Sequence, residues 1–126
     1  MKKESESLEQ ARFFAWVKKN RSARPELHRV FAIPNGGYRT GVTAARMKME
    51  GVEPGVPDIF CAIVRGSHHG LFIEMKRNSK SASTSDAQDR MISRLLDGGY
   101  AVAVCHGMQE AVERLIEYLD VESMKA

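Results

Sequence analysis

Apolar residues recur at helical spacing near the start of the chain, where Leu8, Ala11, Phe14 and Ala15 share one face between about Glu6 and Lys19. Ser5 or Ser7 is positioned to cap that helix. The stretch "HRVFAIP" then reads as a first strand, stopped by Pro34 and the turn-forming "NGG". A second helix is predicted from about Val42 to Glu50, ending at Gly51, with "EPGVP" as the loop that follows. "DIFCAIV" and "LFIEMKR" have the density of buried strands, and "RGSHHG" joins them as a hairpin connection. Ser85 to Asp97 forms a third amphipathic pattern, stopped by Gly98 and Gly99. "YAVAVC" is one more buried strand, and Gln109 to Leu119 closes the described pattern as an amphipathic helix. The order α-β-α-β-β-α-β-α predicts an α/β fold with a central mixed β-sheet flanked by helices on both faces.

One of these strands breaks its own pattern. Side chains alternate across a strand, so Leu71, Ile73 and Met75 share one face of "LFIEMKR" while Phe72, Glu74 and Lys76 share the other. A strand covered on both sides is expected to stay apolar, yet this one carries a carboxylate and an ammonium on one face, two residues apart. Asp58 opens the preceding strand directly after Pro57, and a hairpin sets the start of one strand beside the end of the next. Asp58 and Glu74, 16 apart in sequence, are therefore expected as neighbours across the sheet. Two close carboxylates repel unless a proton or a cation sits between them. Hard oxygen ligands in such a place suit Mg²⁺, and Lys76 is then close enough to hold or activate a metal-bound water.

Composition narrows the setting. The chain has 126 residues, 43% hydrophobic and 28% charged, which suits a single domain spanning 1–126 with its own core. The longest apolar run, "IFCAIV", is six residues, and "MKKESESLEQ" has no apolar region for a signal peptide, so a soluble, cytoplasmic protein with no membrane role is expected. Cys61 and Cys105 both sit in apolar strands and form no CxxC pair, as expected of buried reduced thiols. Net charge is +3, but residues 1–80 hold 15 Lys and Arg against 8 Asp and Glu, while residues 81–126 hold 4 against 8. A basic first part suits a polyanion partner.

"PD" followed by "EMK" resembles the PD-(D/E)XK nuclease superfamily. The wider run "GVPDIFCAIVRGSHHGLFIEMKR…SDAQ…LLDGGYAVAVCHG", with "FAIPNGG" upstream, is similar to its VRR-NUC family, particularly the stand-alone phage and bacterial members. The resemblance covers roughly residues 5–119 and implies a restriction-endonuclease-like core. It implies a metal-dependent endonuclease in which Asp58, Glu74 and the Met75 carbonyl hold Mg²⁺, with Mn²⁺ able to substitute, and Lys76 positions the attacking water. The family also carries a Glu four residues before a Gln on the first helix. In the family this Glu contributes to the metal site, and here the pattern falls on Glu6 and Gln10, with Glu9 as a rival for that role on a stripe with Phe13 and Trp16. Gln88 has two readings: the capping box of "SDAQ", and, by the resemblance, an active-site residue at the head of a stripe with Met91, Ile92 and Leu95. Asn35 is implied at the DNA groove. Arg46, Lys48, Arg77 and Lys80 are candidate phosphate contacts. The resemblance further implies 5′-phosphate and 3′-hydroxyl products, a homodimer, and branched DNA such as Holliday junctions in repair, recombination or phage replication.

Other residues carry plainer readings. His68 and His69 are adjacent, so they point to opposite sides of a strand and suit a hairpin tip better than a zinc site. His106 is expected at a strand end, and Trp16 with the phenylalanines of the first helix in the core. Two rivals remain: a catalytically silent nucleic-acid-binding module of the same fold, and a small-molecule hydrolase. The second, which includes a small-molecule binding protein on a similar sheet, lacks a Gly-rich phosphate loop or a nucleophile elbow.

Overall fold

The computed structural model describes residues 4–34 and 41–121. Its elements are α1 (Glu4–Asn20), a 3-10 helix (Pro25–Arg29), β1 (Val30–Ala32), α2 (Gly41–Met49), β2 (Ile59–Cys61), β3 (Leu71–Lys76), α3 (Asp86–Asp97), β4 (Ala101–His106) and α4 (Met108–Leu119). The order of helices and strands is the one the hydrophobic pattern predicts. The strands form one sheet in the order β1-β2-β3-β4, antiparallel at the first two pairings and parallel between β3 and β4. A parallel pair needs a crossover, and α3 supplies it.

Two strands are shorter than expected. "HRVFAIP" gives only Val30–Ala32, because Pro25 begins a 3-10 helix whose fixed φ carries the chain as far as Arg29. "DIFCAIV" keeps only Ile59–Cys61 as a continuous ladder strand. The predicted turn at "NGG", and Asn35 with it, lies outside the described residues.

α1 is rotated relative to the expected stripe. Leu8 is 50% exposed, Ala11 and Ala15 are exposed, and the buried residues are Phe13 and Val17, with Phe14 and Trp16 packed against them. The reason is area: one leucine and two alanines bury far less apolar surface than Phe13, Val17 and the two neighbouring rings. The helix begins at Glu4, so Ser5 and Ser7 lie inside it and do not cap it.

The main core fills the face of the sheet that carries Ile59, Cys61, Ile73, Met75, Ala103 and Cys105, against Phe13 and Val17 of α1 and Ala111 and Leu115 of α4. Both cysteines are free and buried there, and burial pushes each thiol up to about 12. The opposite face carries Phe60, Phe72, Glu74 and Lys76, with α3 reaching it at the charged end. β3 is buried on both faces over most of its length, as its position between two neighbours and two helix layers requires.

Candidate active site

Asp58 is fixed from two sides. The β2–β3 register pairs Ile59 with Ile73, so one further step sets Asp58 opposite Glu74 and Pro57 opposite Met75. The ladder is not continued there. Instead Asp58 Oδ2 accepts a hydrogen bond of 2.9 Å from the Met75 N–H. The Ile33 N–H donates to the Asp58 carbonyl at 2.7 Å, tying its backbone to the continuation of β1. Within a strand a residue's N–H and C=O project to the same side, so the Met75 carbonyl also faces the side on which Asp58 stands. Gly55 holds the preceding loop close to α3: its φ is +86°, and a Cβ there would come within 2.3 Å of the Ala87 carbonyl oxygen.

Glu74 and Lys76 are 3% and 6% exposed, and one glutamine joins them. Lys76 Nζ donates to Gln88 Oε1 at 3.0 Å, Gln88 Nε2 donates to Glu74 Oε2 at 3.1 Å, and Lys76 Nζ lies 3.7 Å from that same carboxylate oxygen. Buried charges need partners of this kind. Gln88 also completes the capping box of α3: Ser85 N–H donates to Gln88 Oε1 at 2.9 Å, and Gln88 N–H donates to Ser85 Oγ at 3.2 Å. The capping box and the contacts to Lys76 and Glu74 are therefore one arrangement. The cap turns the amide inward, with its oxygen toward two donors and its nitrogen toward an acceptor.

The remaining acids divide. Glu6 lies half-buried on the face of α1 that carries Gln10, Phe13 and Val17. Among the described residues, no group of three or more His, Cys, Asp or Glu is close enough to hold a metal ion, so Glu6 is not drawn into a ready trio with Asp58 and Glu74. Glu9 is engaged elsewhere. Its Oε1 accepts from the Met108 N–H at 2.8 Å, and its Oε2 lies 3.6 Å from Arg12. Glu9 thus caps α4, whose own cap position is Gly107 and offers no side chain. Sequence reasoning missed this role, although "CHGMQEA" shows the signal, a helix start without Ser, Thr, Asp or Asn.

The basic candidates lie on α2 and on the segment that follows β3. Arg46 and Lys48 are exposed on α2, Lys80 is exposed in the loop after β3, and half-buried Arg77 donates to Ser81 Oγ at 3.3 Å. His106 closes β4 opposite Lys76, with Nε2 2.8 Å from the Ala82 carbonyl oxygen. His68 and His69 are exposed at the hairpin end, where Arg65 bridges to His68. The donor set of Asp58, Glu74 and the Met75 carbonyl is all hard oxygen, and this fits Mg²⁺ better than a thiolate- or imidazole-seeking metal. No described helix is long and apolar enough to cross a membrane.

The model of the VRR-NUC domain matches residues 3–109. A solved structure titled VRR_NUC domain protein superposes with a TM-score of 0.82 and 26% identity, covering 99% of this chain and 96% of that one. No curated protein matches the chain. The mixed four-stranded sheet is in keeping with a restriction-endonuclease-like core. With the family model spanning residues 3–109, most of its length, the chain belongs to the VRR-NUC family of nucleases.

Proposed function

We propose that this nuclease is a Mg²⁺-dependent DNA endonuclease that nicks branched DNA, such as four-way junctions, as a homodimer. The reading rests above all on one observation: Gln88 holds Lys76 and Glu74 together, on the face where Asp58 binds the Met75 amide. In this reading Asp58, Glu74 and the Met75 carbonyl hold Mg²⁺, with Glu6 contributing from α1, and Mn²⁺ substitutes. When bound, the ion supplies Lewis acidity at the phosphodiester and lowers the pKa of a water. Lys76 holds the attacking water in line and stabilises negative charge as it develops. Gln88, bonded to both, fixes the Lys76 ammonium and the Glu74 carboxylate relative to each other. The products are a 5′-phosphate and a 3′-hydroxyl. Arg46, Lys48, Arg77 and Lys80 contact the DNA backbone, and Asn35 lines the DNA groove. Two active sites related by a two-fold axis suit paired nicks across a junction.

The test is incubation of the purified protein with labelled four-way junction, flap, single-strand and duplex DNA, in Mg²⁺, Mn²⁺ or EDTA. Cleavage is expected with either metal and none in EDTA. Lys76→Ala is expected to bind DNA as before and to lower the cleavage rate by about 10²- to 10⁴-fold. Asp58→Ala is expected to lose metal-dependent cleavage. DNA binding by the parental protein with no cleavage in either metal would instead identify a catalytically silent binding module.

A further inference from the structure

The sheet face that carries Glu74 and Lys76 also carries a row of aromatic rings, and the last ring of that row is open. The registers Phe31–Phe60 and Phe60–Phe72, with alternation along β3, put Phe31, Phe60, Phe72, Glu74 and Lys76 on one face. Phe60 and Phe72 stack with centroids 4.4 Å apart. Tyr100 meets Phe72 edge to face at 5.4 Å, and Phe31 meets Phe60 edge to face at 5.9 Å and 80°. In either form of a T-shaped pair, Phe60 leaves at least one face of the Phe31 ring uncovered. Phe31 remains 48% exposed, on the edge strand of the sheet.

Strand geometry gives the spacing. Two strands of about 4.8 Å and two residues of about 3.3 Å separate Phe31 from Glu74, or about 12 Å between their backbones. On the nuclease reading, a phosphate held at Asp58 and Glu74 would leave the ring within reach of a base a few nucleotides away. Arg29, exposed directly before β1, makes the approach cationic.

We propose that Phe31 is a stacking platform for an unpaired nucleobase of the DNA bound at the Asp58–Glu74 site. The inference rests on the nuclease reading and supplies a source for its substrate preference. In continuous duplex each base face is already covered by its neighbours. At a gap, flap or branch a base is free, and an open aromatic ring takes it whatever its identity.

The experiment compares the parental protein with Phe31→Leu, which keeps apolar bulk without a π-face, and Phe31→Trp. Each is given a flap DNA and the matching continuous duplex in Mg²⁺, and a flap with 2-aminopurine at the unpaired position in Ca²⁺, which permits binding. Expected for Phe31→Leu is a fall of about fivefold or more in the flap-to-duplex cleavage ratio, with the 2-aminopurine quench lost. Phe31→Trp keeps both. An unchanged ratio and quench in Phe31→Leu overturns the proposal. So does a loss of ratio that tracks dissociation of a parental dimer in sedimentation, because the face is then a contact between two copies. If the parental protein cuts neither DNA, the nuclease reading falls separately. A quench seen with the parental protein and lost in Phe31→Leu still supports the platform, and no quench overturns it.

Discussion

Gln88 shows how one side chain serves two levels of structure. Its backbone and amide oxygen close the capping box with Ser85, and its amide bridges Lys76 and Glu74. The two functions separate by mutation. Ser85→Ala removes the cap acceptor and is expected to cost about 1 kcal/mol in urea denaturation while leaving the Gln88 side chain able to reach Glu74. Gln88→Leu leaves two buried charges short of partners and is expected to cost about 1–3 kcal/mol. It is also expected to slow single-turnover cleavage well beyond the Ser85→Ala variant. Equal cleavage by the two variants would reduce Gln88 to a helix cap. Asp58, Glu74 and Lys76 were legible in the sequence because they break rules: charges on a strand that must be buried, and an acid next to a proline at a strand start. Phe31 was not legible, because its exposure depends on β1 being the edge strand, which alternation alone does not reveal.

At the scale of elements, α1 was the hardest to read. Its small residues repeat at helical spacing as regularly as its large ones, so periodicity gave a helix without its rotation. Burial of Phe13 and Val17 decides that rotation, and it carries Glu6 to the inward face and Glu9 to the start of α4. The glutamates are therefore expected to fail differently. Glu9→Ala leaves the Met108 N–H at the start of α4 without its cap, with Glu110 still in the first turn, at a cost of about 1 kcal/mol, with cleavage retained. Glu6→Ala is expected to retain stability and weaken metal-dependent cleavage. Thermal melts and cleavage rates measured together on both variants check this, and the reversed pattern would make Glu9 the helix ligand. The strands β3 and β4 were legible almost to their ends, since both are runs rich in apolar residues with one face in the core. β1 and β2 were not, because a proline-started 3-10 helix and a short ladder are decided by contacts between segments.

At the scale of the whole molecule, the order of elements was enough to predict a mixed sheet, and the same burial that forms its core makes stability depend on pH. Cys61 and Cys105 lie in that core, each raised by desolvation from 9.0 to about 12. Well below pH 9 the thiols are protonated in both the folded and the unfolded chain, and they contribute no slope. Between pH 9 and about 12 the unfolded chain releases these protons while the folded chain retains them. The folded state then binds more protons, so stability falls as pH rises through this window. Tyr118 is also raised by burial and gives its hydroxyl proton to the Ile63 carbonyl at 2.6 Å, and it adds to the loss in the same direction. Urea midpoints measured at steps from pH 8 to pH 11 are expected to decline. A Cys61→Ala/Cys105→Ala variant is expected to start lower at pH 8, from lost packing, and then to decline less steeply. Parallel curves for the two proteins would mean that the thiols ionise as readily folded as unfolded, which their burial between α1, α4 and the sheet does not allow.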